Sequence, residues 1–359
     1  MSVLFVQKRP IRAGAQTSLA RLVGSHPIRA LDPVVLLNSE GWLAERLKFQ
    51  KTPHFVIPFK NPRSLFARIF GLASWAESVI SRIGNQSSKI RLIVANDHQE
   101  CPLALAIARA LGNLPVLAIL RTPRMSQSDF ERYNCDACEG LMGEGNELLA
   151  QIRNWTSKSV VLFEEGFEEA EFLPLRPRAV VCPSCILVIG SESLRKGFGD
   201  FIDALRLFEK RRPDFLGWEC HLTGSRTARF AAMLSQTMRS KFTFLGRRED
   251  FSELVRQYDF AVHPSRAETF GMAPIESMLA GTPTLISETG VVSELVLPPA
   301  WTFPPADVET LSRRLEFLWE FWPPLDFSHV HAQVRNRCHI NHTASVVRAE
   351  IETIVNRLK

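Results

Sequence analysis

The sequence predicts an α/β protein built as two doubly wound parallel-sheet domains. Strand-like and helix-like segments alternate almost throughout its length. The strand-like runs are short, continuous and β-branched, as strands covered on both faces require. The 359 residues also exceed what one hydrophobic core comfortably serves.

In the first half the expected strands are 3–6, 34–37, 55–57, 92–95, 116–120 and 160–163, with helices near 16–24, 40–49, 64–83, 102–111 and 145–153. The acidic run Glu164–Glu171 and the proline-broken stretch Leu173–Arg178 sustain neither element, which sets a domain boundary near residue 180. The alternation then resumes, with strands at 186–189, 219–222, 242–245, 260–263 and 284–287. Helices are expected at 199–210, 227–239, 250–257, 273–280 and 308–319, and a last one over roughly 345–358. The domains are therefore read as 1–180 and 181–340, followed by a C-terminal helical segment, 341–359.

Composition is that of an ordinary globular protein, with 45% apolar and 23% charged residues. The N-terminal apolar run, Val3–Val6, is shorter than the core of a signal peptide, and no segment approaches a membrane span. A cytoplasmic protein is expected, with any membrane contact peripheral. Charge is uneven: residues 1–91 hold 14 Lys and Arg against four carboxylates, a balance of +10. Such an excess suits an anionic membrane surface or another polyanion, or simply a soluble surface. Apolar residues of 64–83 cover about half a helical circumference and are flanked by Lys60, Arg63, Arg68 and Arg82. The segment is either an interfacial membrane helix or a helix packed on its own sheet.

Four of the seven cysteines form two C-x-x-C pairs, Cys135/Cys138 and Cys182/Cys185. Together they could make a four-thiolate zinc site, but 43 residues separate the pairs and Cys185 enters a buried strand. No metal site is assigned to them or to the late histidines. Aromatic and basic residues do not interleave, so nucleic-acid binding is not expected.

Ligands of doubly wound sheets bind at the carboxyl ends of the strands, so chemistry is sought on the loops that follow them. The most informative loop is His263-Pro-Ser-Arg-Ala-Glu-Thr-Phe-Gly-Met-Ala-Pro-Ile-Glu-Ser-Met-Leu-Ala-Gly-Thr-Pro283. A turn at Thr269–Gly271 precedes a helix whose unpaired first amides suit phosphate or sugar oxygens. Glu268 and Glu276 flank that turn, and each carboxylate can accept hydrogen bonds from a vicinal diol. As a bare helix start, Arg195-Lys196 would oppose the helix dipole, which favours a functional role for them.

This loop resembles the E-x7-E signature of retaining glycosyltransferase family 4, in glycosyltransferase group 1. Gly190–Gly197 resembles that family's glycine–six–lysine–glycine loop, Leu222-Thr-Gly224 its next glycine turn, and Phe242–Gly246 its nucleobase-side loop. Thr289-Gly290 with Glu294 resembles a later turn, and Arg12–Leu19, with Gly14, the N-terminal loop facing the donor phosphates. The resemblance covers about 186–300 closely and the N-terminal half in order only.

It implies the GT-B fold, two Rossmann-like domains facing a central cleft, with the last helix crossing back to the N-terminal domain. It implies retaining transfer from a nucleoside-diphosphate sugar, UDP-linked first and GDP-mannose second. The acceptor would be a cell-envelope glycan or a lipid-linked molecule. No metal or other cofactor is implied. Arg195 and Lys196 would hold the diphosphate, and Glu276 the ribose. Glu268 and the amides of Phe270, Gly271 and Met272 would hold the donor sugar, with Gly14, Gly190 and Gly224 lining the donor site. Three departures stand out: Ser191 where many members carry Arg, the single Gly14, and Arg121 in place of a histidine. Ser191 and the thin N-terminal loop keep open a non-catalytic GT-B subunit that binds nucleotide sugar or a partner protein.

Overall fold

The computed structural model of the protein describes residues 1–59, 65–123, 125–175, 184–191, 193–215, 217–224, 227–248, 250–322 and 327–357, with backbone only at 65–70, 227–229 and 237. It divides into two compact units, Met1–Glu168 with Cys338–Lys359, and Glu169–Arg337. The division falls ahead of the boundary expected near residue 180.

The first unit is a seven-stranded, wholly parallel sheet. Its strands are β1 (Ser2–Gln7), β2 (Pro33–Leu37), β3 (His54–Val56), β4 (Ile90–Ala95), β5 (Val116–Leu120), β6 (Gly140–Glu144) and β7 (Val160–Phe163), in spatial order β3-β2-β1-β4-β5-β6-β7. The helices are α1 (Gly14–Gly24), α2 (His26–Arg29), α3 (Trp42–Phe49), α4 (Leu65–Ile83), α5 (Cys101–Ala110), α6 (Gln127–Arg132) and α7 (Gly145–Arg153). Every residue of β1, β2, β5 and β6 is buried, as covered parallel strands demand.

The second unit holds a six-stranded parallel sheet, β10-β9-β8-β11-β12-β13. Its strands are β8 (Cys185–Ile189), β9 (Glu219–Thr223), β10 (Phe242–Gly246), β11 (Phe260–His263), β12 (Thr284–Ser287) and β13 (Thr302–Phe303). Around it lie α8 (Phe198–Arg211), α9 (Gln236–Arg239), α10 (Phe251–Val255), α11 (Met272–Leu279), α12 (Val308–Glu320) and α13 (Ser328–Arg337). The last helix, α14 (Ile340–Arg357), belongs to the first unit, where Val347, Ile351 and Ile354 join the core under β1 and β4.

Several elements depart from the sequence reading, and two show clear local causes. β6 was hidden by its glycines, which are there because helices press on it: a Cβ at Gly143 would lie 3.0 Å from Ile152 and 3.1 Å from the Leu149 backbone. The single helix expected over 227–239 is instead a 3₁₀ stretch, Thr227–Met233, followed by α9. Ser235 makes the break, accepting a hydrogen bond from the Met238 amide at 3.2 Å as an N-cap.

The described side chains of α4 settle how its second half is used. Ala76, Val79 and Ile83 are buried in the sheet's core, and Leu72 and Trp75 pack against it. The apolar stripe of that half faces its own domain. Lys60 and Arg63 lie outside the described residues.

Arg121, which stands where the family resemblance led to a histidine, is a rivet of the first unit. Its guanidinium is 3% exposed and pairs with the 1% exposed carboxylate of Glu165. It also donates to Ser18 Oγ at 2.8 Å and to Asn96 at 3.1 and 3.2 Å, and its carbon lies 4.2 Å from the Phe163 ring centre. Removing one charge strands the other in a dry site. Glu165→Ala is expected to lower unfolding free energy by about 3–5 kcal/mol in a denaturant titration. Arg121→Met combined with Glu165→Leu is expected to recover most of that loss.

Candidate donor site of the second unit

Strands β8 and β11 are neighbours although the chain visits two other strands between them, so their loops leave in opposite directions and open a crevice. The loop after β8 runs from Gly190 through a 3₁₀ turn, Leu194–Lys196, to Gly197, the N-cap of α8. Gly197 has φ +62°, and a Cβ there would collide with the Pro264 carbonyl of the loop after β11. Gly224, after β9, has φ +134°, and a Cβ there would collide with the carbonyl of Gly190. Glycine is required at both positions by backbone sign and by contact. The three loops are thereby pressed together.

That contact sets the charges. Lys196 Nζ donates to Glu268 Oε1 at 2.6 Å, and Arg195 Nη1 donates to Glu268 Oε2 at 2.9 Å and to the Ala267 carbonyl at 2.7 Å. Burial alone would raise the Glu268 carboxyl, but Lys196 and then Arg195 outweigh it and hold it below its usual range. Glu268 is 11% exposed, whereas the two cations are 28% and 27% exposed and so reach solvent. The backbone is fixed as well: the Arg266 amide donates to the Arg195 carbonyl at 2.7 Å. Arg266 also grips Asp200, in the first turn of α8, through two bonds of 2.7 and 2.5 Å.

Behind these charges, His263 is buried with its Nε2 3.1 Å from Ser277 Oγ. Burial, followed by the Lys196 charge, pushes its pKa down to about 3, so it is neutral at physiological pH. The loop then reaches Gly271, φ +93°, which caps α11. Phe270 is 1% exposed, so only its backbone faces outward chemistry, and its carbonyl accepts from Val291 in the Gly290 turn at 3.0 Å. Met272 opens α11, and Glu276 lies half-buried in the same helix.

The structure thus brings Arg195, Lys196 and Glu268 into direct contact and stacks the turns of Gly190, Gly224 and Gly271 beside them. Gly14 opens α1 in the other unit. Two bonds were missed by sequence reasoning, Arg266–Asp200 and His263–Ser277. An acidic residue in a first helical turn was the available signal for the former. Of the C-x-x-C pairs, Cys135 and Cys138 are buried in the first unit's core with Cys101, Cys185 lies in the second unit, and Cys182 is outside the described residues.

A second polar cluster, also missed, sits at the carboxyl end of β4 in the first unit. Asp97 Oδ1 is 2.9 Å from His98 Nδ1, and Glu100 accepts from the Lys8 amide at 3.1 Å. The run Asn96–Glu100 directly after a buried strand was a legible signal. Burial, then the Asp97 charge, raises the Glu100 pKa to about 7 from 4.5. A carboxyl raised on folding contributes stability that is full below about 4.5 and lost as pH rises through about 7. The protein is therefore expected to lose about 3 kcal/mol across that window through this group. Glu100→Gln should flatten the dependence in thermal unfolding measured between those pH values.

Comparison with known proteins bears on the fold and on the second unit. Residues 183–320 match the family Glycosyl transferases group 1. The lipopolysaccharide core biosynthesis mannosyltransferase LpsB of Rhizobium meliloti is 29% identical over 110 residues, covering 28% of this chain and 30% of LpsB. Mannosylfructose-phosphate synthase of Agrobacterium fabrum is 25% identical over 178 residues, 44% of this chain and 38% of that protein. The chain thus matches well under half the length of either relative. Anabaena Alr3699/HepE, solved in complex with UDP, superposes with a TM-score of 0.78 at 17% identity, over 98% of this chain and 100% of the other. The chain accordingly has the GT-B fold, and its residues 183–320 are similar to the glycosyl transferases of group 1.

Proposed function

We propose that this protein is a retaining glycosyltransferase. It takes a hexose from a nucleoside-diphosphate sugar, UDP-linked in the first instance and GDP-mannose in the second, and passes it to a cell-envelope glycan or lipid-linked acceptor. The observation that carries the reading is the convergence of two solvent-reaching cations on one largely buried carboxylate at the switch point of the second sheet. The UDP complex of the HepE relative and the lipopolysaccharide role in the LpsB name support the substrate classes.

In this reading Arg195 and Lys196 hold the diphosphate and stabilise its growing charge as the glycosidic bond breaks. Glu268 keeps the two cations aimed while the site is empty, then accepts from the donor sugar's hydroxyls. The amides of Phe270, Gly271 and Met272 complete the sugar pocket. Glu276 accepts from the ribose hydroxyls. The acceptor attacks from the face the leaving group departs, and the donor phosphate takes its proton. Two fixed cations supply the charge stabilisation, so no divalent ion is required.

A thermal-shift panel of UDP- and GDP-sugars, followed by anomeric assignment of the product by NMR, tests the reading as a whole. Glu276→Ala is expected to weaken nucleotide binding by about 1–3 kcal/mol in calorimetry. Lys196→Ala should lower kcat far more than it raises KM, because the interaction strengthens in the transition state. Transfer should persist in EDTA. Donor binding without turnover would favour the non-catalytic subunit, and an inverted product would remove the retaining course.

A further inference from the structure

The opposite, amino end of the second sheet carries a separate cluster of ligand-forming side chains. Cys185 opens β8 and Glu219 opens β9, and the two are register partners in the parallel pairing. His221 lies two residues further along β9, so period-two alternation puts it on the same face as Glu219. The Cys185 sulfur, a Glu219 carboxylate oxygen and a His221 ring nitrogen all lie within 4.8 Å of one another.

The surroundings are organised around these three. His221 Nε2 is 2.6 Å from Glu219 Oε1, and His221 Nδ1 is 2.7 Å from the Tyr258 hydroxyl. Asp259 Oδ2 accepts from the amides of Ser184 and Cys185 at 2.8 and 3.0 Å, fixing the backbone that presents the sulfur. The Glu219 carboxylate is 61% exposed and the His221 ring 20%, which leaves a path from solvent.

We propose that Cys185 Sγ, His221 Nε2 and the Glu219 carboxylate bind a zinc ion, with water as the fourth ligand. Sulfur, nitrogen and oxygen donors on one sheet face are a set that tetrahedral Zn²⁺ accepts. The local charge favours a cation. Glu219 and the nearby Asp259 place negative charge beside the sulfur, and a divalent ion binding there displaces the thiol proton. On binding, the thiol proton goes to solvent and zinc takes the Nε2 lone pair. The neutral imidazole then carries its proton on Nδ1 and donates to the Tyr258 oxygen. This is the outer-shell contact that orients a metal-bound histidine. The ion would clip β8 to β9 at the amino end of the sheet, away from the loops that carry Arg195 and Glu268, so the site is independent of the proposed transfer reaction.

The full-length, untagged protein, freed of metal with EDTA and dialysed, is titrated with Co²⁺ and then Zn²⁺. The expected result is one cobalt per chain with a thiolate-to-cobalt band in the near ultraviolet, lost in Cys185→Ser and displaced by one equivalent of zinc. Glu219→Gln, on an exposed side chain that does not threaten folding, should weaken zinc binding by about tenfold or more, and Tyr258→Phe similarly. Absence of a thiolate band, a band retained in Cys185→Ser, or zinc affinity indifferent to Glu219→Gln overturns the proposal.

Discussion

The Glu268 carboxylate, held between Arg195 and Lys196, is the contact on which the loop arrangement of the second unit depends. Two cations brought this close repel each other, and a carboxylate that is 11% exposed has little water to rely on. Each charge is tolerated because the others are present. The arrangement is available only because Gly197 and Gly224 let three loops meet backbone to backbone. Arg266 then locks two of those loops to α8 through Asp200. In the proposed function, a pair of cations already aimed at one place before a diphosphate arrives supplies the electrostatic preorganisation that stabilises a leaving group.

Much of this was legible in the sequence, because the signals were local. Buried parallel strands announce themselves as β-branched runs, and ten of the thirteen strands lie where those runs predicted, with β6, β13 and the exact limits of β3 the exceptions. β13 has two residues and carries no pattern, while β6 has Gly140 and Gly143 where helices press closest. Arg195, Lys196 and Glu268 were singled out by motif, but their mutual contact spans more than seventy residues of chain and only the fold reveals it. The same holds for Arg121. Sequence marked it as an oddity in a site, and the structure uses it as a buried support for β4, β5 and the chain after β7.

The second sheet separates its tasks by end. At the carboxyl ends, positive charge is kept available by a single buried acid, and His263 beneath it stays neutral and adds no further cation. At the amino ends, Cys185, Glu219, His221 and Asp259 gather negative charge and ligand atoms around the first residues of β8 and β9. The first ends suit an anion and the second a cation, and parallel strands keep the two apart by their own length.

Calorimetry of uridine, UMP and UDP against the wild type and Lys196→Met decides whether Arg195 and Lys196 read the diphosphate. If they do, the gain in affinity from UMP to UDP shrinks sharply in the variant while uridine binds as before. An equal loss for all three ligands, or no loss for any, would contradict it.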